Sequence, residues 1–221
     1  MQRDYRKITL FDAVTPVAVT SSTDATPIVV TATSHGFVTG DRVLIYGHTT
    51  NIAANGIFKV VVVTANTFQL KDEFTGASIA GSGGGAGSSG VCMIAPPIVA
   101  IKDYVNAILQ LSTSGTATTT LKVAGSLGKP ENQANFGPGS GRKDLVNFGA
   151  TVSPSNAYGF LQVIDLDTGA AVNGATGLVV AGTDVHKLYE ININAASQLT
   201  VFPISWTQGA ITLTLLVTNN S

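Results

Sequence analysis

Three histidines, three glutamates and a single cysteine are the side chains of this sequence best suited to chemistry. His35 lies in "TSHGFVTGDRVLIYG", residues 33–47, six positions before Asp41. A general base needs a nucleophile or an orienting carboxylate within hydrogen-bond reach, and Asp41 could meet His35 across a turn. The same His-Gly and Gly-Asp pairs also suit two chain reversals. Glycine takes positive φ freely, and an aspartate can bond the backbone of its own turn. We read His35 as shaping a turn. His48 and His186 show no H-x-H, H-x-x-x-H or H-E-x-x-H spacing, so no zinc site of the common helix or strand type is expected. Asp165 and Asp167 in "DLDTG" resemble the start of a calcium loop, but the glycine comes fifth and no closing glutamate follows, so a hairpin turn is expected. Gly81–Gly90 lacks the Lys-Ser/Thr pair and the helix of a phosphate loop. No G-x-S-x-G elbow occurs. Glycoside hydrolysis would need two placed carboxylates, and Glu73, Glu131 and Glu190 are scattered along the chain. With one cysteine, Cys92, neither an intrachain disulfide nor a cysteine-based zinc site can form, and its Val91 and Met93 neighbours suggest a small buried thiol. We expect no catalytic, cofactor-binding or metal-binding residues, and a protein that is not an enzyme.

The elements that position these residues read as β-strands. Threonine and valine abound, and short apolar runs are punctuated by Gly, Asn and Asp. The run 101–112, IKDYVNAILQLS, fits a helical stripe, but Val105, Ala107, Leu109 and Leu111 alternate equally well, and we favour a strand. Residues 1–23 are expected to form an N-terminal arm carrying a strand, with apolar Ile8, Leu10, Val17 and Val19. Residues 24–80 follow as a small β-barrel or sandwich module. Its strands are expected at 27–33, 42–47, 57–64 and 67–71, with Asn55-Gly56 closing a polar loop. A Gly/Ser-rich linker spans 81–94. Residues 95–221 read as a larger antiparallel β-sandwich, jelly-roll-like. Its strands are expected near 104–112, 117–125, 145–152, 158–166, 177–181, 187–194, 198–205 and 210–218. Gly115 and Gly209 fall among the turns, and Phe202 and Trp206 are expected against the core. The segment GKPENQANFGPGSGRK, 128–143, reads as a long exposed loop.

Composition bounds the function. Of 221 residues 44% are apolar and only 11% charged, against roughly 25% in typical soluble domains. The surface must therefore consist largely of hydroxyls, amides and glycine. Such a surface suits a protein packed into an assembly or working outside the cell. The net charge of −1 gives no basic face for nucleic acid. The cluster of Arg3, Arg6 and Lys7, with Asp4 among them, reads as a solvated tail. No signal peptide is expected, because Asp12 and Pro16 interrupt the apolar run 8–19, and no stretch approaches a spanning helix of about 18 apolar residues.

One string of motifs carries a resemblance. It runs through Ser34-His35-Gly36-Phe37, Gly40-Asp41-Arg42-Val43, Ile45, Gly47, Asn55-Gly56, Phe58, Val60 and Thr67-Phe68-Gln69-Leu70, followed by the Gly-rich stretch. This resembles a small β module of tailed-bacteriophage structural proteins, itself similar to the first catalytic-cysteine half-domain of ubiquitin-activating enzymes. It covers about a quarter of the chain. Ubiquitin chemistry is not implied, because it needs a nucleotide-binding domain and a reactive cysteine in context. The segments "LQVIDLDTGAAVNGATG" and "YEININAASQLTVFPISW" are similar in style to the β-sandwich domains of phage capsid-associated and tail-associated subunits. The resemblance implies a virion structural protein, assembled in the host bacterial cytoplasm. Its foremost role would be capsid decoration or cement, as a homotrimer or other homo-oligomer bound to the major capsid protein or other virion subunits. It implies no direct contact with nucleic acid or membrane. A neck, collar, tail or baseplate subunit is the alternative. Two other classes stay open: a glycan-binding tail-fibre or adhesin module using Tyr46, Tyr158 or Trp206, and a cell-wall hydrolase using the glutamates.

Overall fold

The computed structural model describes residues 5–82, 89–126, 158–172, 176–193 and 196–219. The elements, in chain order, are β1 (Tyr5–Val14), β2 (Val17–Ala18), β3 (Ser21–Ser22), β4 (Val29–Thr31), β5 (Arg42–Tyr46), a 3-10 turn (Ile52–Ala54), β6 (Gly56–Thr64), β7 (Thr67–Lys71), β8 (Val91–Ile94), β9 (Val99–Ala100), β10 (Asn106–Ser126), β11 (Tyr158–Phe160), β12 (Val163–Asp165), β13 (Ala171–Val172), β14 (Leu178–Thr183), β15 (His186–Ile191) and β16 (Gln198–Thr218). The protein is all-β, built as two antiparallel sheets in the manner of a β-sandwich protein. These belong to two compact units. One holds described residues 16–95, and the other holds the described residues before and after them.

The smaller unit is a sheet in the order β2-β8-β5-β6-β7-β4-β3. Its edge strands β2 and β3 are separated only by Val19 and Thr20. Val19 N–H donates to the Gly90 carbonyl at 2.9 Å, and Thr20 N–H donates to the Thr31 carbonyl at 2.9 Å. The run 17–22 thus bonds β8 on one side and β4 on the other, which closes the sheet into a barrel and leaves it no long edge. The period-two pattern fills the interior. Ile28, Val30, Val43, Ile45, Phe58 and Phe68 all lie in this core. Within it β4, β5, β6 and β7 lie close to where alternation and turn residues place them.

The larger unit is a sheet in the order β1-β16-β10-β15-β12-β13, with β11 and β14 also pairing β10 and β9 pairing β16. Its spine is the pair β10 and β16, each 21 residues long. Ile211, Leu213, Leu215 and Val217 are fully buried on one face. Opposite them across β10 stand Leu109 and Leu111, also fully buried.

Four expectations are corrected here. Gly115 and Gly209 do not end strands. Each sits at a bulge inside one continuous strand, where the register steps from Ser114↔Ala210 to Thr118↔Gln208. The expected strand 158–166 is two short strands, since 158–160 pairs β10 and 163–165 pairs β15. Residues 91–94 are not linker but β8, whose main chain bonds both β2 and β5; an apolar tetrad after a Gly-rich run was available to complete the barrel. The expected arm is divided as well, because β1 pairs β16 while β2 and β3 belong to the barrel. The expected strand 145–152, the 128–143 loop and Glu131 lie outside the described residues.

Candidate functional site

His35 answers the first question the sequence poses. Its ring is buried, 5% exposed, stacked on Phe37 and edge-on to Phe68, each at 5.1 Å between centroids. Nδ1 accepts the Phe37 N–H at 3.0 Å, which places the ring proton on Nε2, and Nε2 donates to the Thr64 carbonyl at 3.2 Å. Asp41 does not meet it. The Asp41 carboxylate accepts the Val38 N–H at 2.9 Å and closes its own turn. Gly36 and Gly40, with φ of +71° and +101°, make the two reversals possible. The "SHGF…GD" string is thus a folding device within the barrel.

His48 is set differently. Asn55 clamps its backbone from both sides: the His48 N–H donates to Oδ1 at 2.9 Å, and Nδ2 donates to the His48 carbonyl at 2.8 Å. The ring is 4% exposed and neither ring nitrogen has a hydrogen-bond partner. Burial pushes its pKa below the ordinary histidine value. Asn51, fully buried, ties the same loop to the barrel by donating to Ser22 Oγ and to the Thr23 carbonyl. These two amide clamps escaped sequence analysis, for which asparagines in a polar loop carry no distinguishing mark. The tip of the loop, Ile52, stays 57% exposed.

The "DLDTG" segment is a hairpin turn. Asp165 Oδ1 accepts the N–H groups of Asp167 and Thr168, and its carbonyl accepts the Gly169 N–H at 2.8 Å. Lys187 Nζ lies 3.2 Å from the Asp165 carboxylate and 2.9 Å from that of Asp167, the position a cation would need. Burial pushes the Asp165 pKa up, but the Lys187 bond and the two backbone donors outweigh it and hold the carboxyl below its ordinary value. The barrel contains the same device. In D-x-x-T-G-A, Asp72 Oδ1 accepts from Phe74 and Thr75 N–H, and the Asp72 carbonyl accepts from Gly76. Among the described residues, no group of three metal-ligating side chains comes together.

His186 is exposed at the start of β15, opposite Ser112 of β10. Glu73 pairs with Arg42 at 2.9 Å. Cys92 is fully buried, and burial pushes its thiol up to about 12. Tyr46 is buried, and its phenol is pushed up by the same cause. Trp206 is buried edge-on to Phe11, and its Nε1–H donates to the Gly209 carbonyl at 2.9 Å. The Tyr158 side chain lies outside the described residues. No helix among the described residues is long and apolar enough to cross a membrane.

What the larger unit offers instead is a surface. Residues paired across a sheet share a face. Register therefore gathers Tyr5, Thr218 and Asn106 in one row and Lys7, Leu216, Ile108, Glu190 and Ile164 in the next. Thr9, Thr214, Gln110 and Leu188 make the third. The opposite face carries the buried core residues Val217, Leu215, Leu109 and Tyr189. On these three outer rows Lys7 and Glu190 are the only charged residues. Tyr5 at 69% and Leu188 at 44% are exposed apolar groups. A cleft of about 250 Å³ opens at the end of this face, lined by Val105, Asn106, Ile164, Glu190, Asn192 and Ile193 among others. Glu190 was singled out in the sequence only as a scattered carboxylate; its neighbours become visible through strand register. No protein-family model matches the chain, and no curated protein matches it.

Proposed function

We propose that the chain is a non-enzymatic structural subunit of a tailed-phage virion, foremost a capsid decoration protein that stabilises the head through subunit contacts. The observation that carries this proposal is the use made of the barrel motif. The residues that resemble the phage module are committed to folding: His35 and Asp41 to turns, Asn55 to a loop clamp, Phe58 and Phe68 to the core. The module therefore presents neighbours with shape and with a clamped loop ending in Ile52, in place of a reacting group. A sheet face with two opposite charges among hydroxyl, amide and aliphatic side chains also suits an extended interface, where charge is depleted from the centre. A neck, collar, tail or baseplate subunit uses the same features. The glycan-binding alternative is weaker, because Tyr46 and Trp206 are buried and give no stacking platform.

Co-sedimentation tests this. The chain is mixed with purified undecorated heads and, separately, with purified tails. Saturable binding to heads is the expected result. Saturable binding to tails alone moves the subunit to the tail. Absence of binding to either, together with recognition of host envelope glycans, would overturn the proposal in favour of a binding module.

A further inference from the structure

The outer face of the larger sheet is self-complementary. Lys7, Leu216, Ile108 and Glu190 stand side by side on β1, β16, β10 and β15. The row thus reads positive, apolar, apolar, negative. Neighbouring strands are about 4.8 Å apart, which puts the two charges about 14 Å from each other within one chain. A twofold axis lying parallel to the strands, midway between β16 and β10, would bring a second copy face to face. It carries β1 of one copy over β15 of the other. Lys7 then faces Glu190 of the second copy, and its own Glu190 faces the other Lys7. Leu216 and Ile108 meet their counterparts between the two ion pairs. Packed sheets lie about 10 Å apart, a gap that a lysine and a glutamate reaching from opposite sides can span.

The adjacent row fits the same operation. Tyr5 is the most exposed aromatic side chain among the described residues. It shares its row with Thr218 and Asn106, at the level of Asn192. The twofold therefore sets Tyr5 over the cleft formed by Val105, Asn106, Ile164, Glu190, Asn192 and Ile193. An aromatic ring entering a partly apolar cleft with amides at its rim is a common interface anchor. In the third row, Thr9 is set over Leu188.

We propose that this face is an isologous interface between two copies of the chain, with the Lys7–Glu190 pair repeated about the axis and Tyr5 of each copy seated in the cleft of the other. The proposal deepens the structural reading above and commits its homo-oligomer to a twofold contact. Lys7, Glu190 and Tyr5 are exposed, so their substitution leaves the fold intact.

The test is the dissociation constant of the full chain by sedimentation equilibrium, for the wild type, Lys7→Glu, Glu190→Lys, the double swap and Tyr5→Ser. The wild type is expected to form a dimer, or a larger even-numbered oligomer containing it. Each single swap places like charges opposite one another twice and is expected to weaken association at least about tenfold. The double swap is expected to restore it to within about threefold of wild type. Tyr5→Ser is expected to weaken it about tenfold or more. A wild type that stays monomeric at about 100 µM would overturn the interface. So would single swaps without effect, or a double swap that fails to rescue. A chain that is monomeric alone yet binds heads defeats the interface and leaves the virion role standing. A swap-sensitive dimer that ignores heads and tails supports the interface and defeats the virion role.

Discussion

The two buried histidines of the barrel sit in opposite hydrogen-bonding situations, and that difference dictates how each responds to change. His35 joins two chain segments through both ring nitrogens. Its removal in His35→Ala strands the Phe37 N–H and the Thr64 carbonyl and leaves a void beside Phe68. Loss of a satisfied buried side chain of this size is expected to cost about 2–4 kcal/mol, read as a lower urea midpoint with unchanged slope. His48 has no partner for its ring, and burial lowers its pKa. The unfolded chain takes up a proton as pH falls below the ordinary value of 6.5, and folded His48 resists doing so. Stability tied to His48 is therefore fully present above that value and is lost as pH falls below it. Thermal midpoints at pH 7.5 and 5.0 are expected to differ for the wild type and to differ less for His48→Leu. An equal drop in both proteins would assign the acid sensitivity elsewhere.

At the scale of elements, the bend of the long strands is the feature with the largest consequence. Gly115 on β10 and Gly209 on β16 both have positive φ, +68° and +87°. Beside them Asp184, φ +50°, accepts the Gly115 N–H at 2.8 Å, and Thr113 exchanges bonds with Val185. The bend thus runs across three neighbouring elements. A Cβ on Gly209 would stand 2.6 Å from the Thr116 carbonyl oxygen and from Ala117 Cα, whereas one on Gly115 meets nothing within 4 Å. Gly115→Ala is expected to cost about 1–2 kcal/mol, the ordinary strain of a left-handed residue. Gly209→Ala adds a backbone clash and is expected to cost clearly more, by about 2 kcal/mol or above. Equal effects in chemical denaturation would contradict this account of the bend. These same glycines explain the limits of sequence analysis. A glycine between two alternating runs marks a hairpin turn or a bulge equally well, and the partner strand decides which. The barrel strands were legible because Val43, Ile45, Phe58 and Val60 alternate between unmistakable turns. β8 was not, since four apolar residues behind a Gly/Ser run carry no period. The candidate surface was legible least of all, because Lys7 and Glu190 come into one row only through two intervening strands.

At the scale of the whole molecule, a chain with 11% charged residues must solvate itself with threonine, serine, asparagine and glutamine. The outer face of the larger sheet follows that rule, and its two charges have opposite signs at symmetric places in one row. The proposal that this protein works by assembly rests on a barrel whose motif residues are occupied in folding and on a sheet face suited to a copy of itself. Self-association is the property that the twofold interface requires. The most direct measurement is therefore the mass of the full chain by light scattering behind size exclusion, across a concentration series. A stable multiple of 22.6 kDa that falls toward the monomer on dilution, and does so sooner with Glu190→Lys, is the predicted result. A mass of 22.6 kDa at every concentration, unaltered by the substitution, would contradict the account.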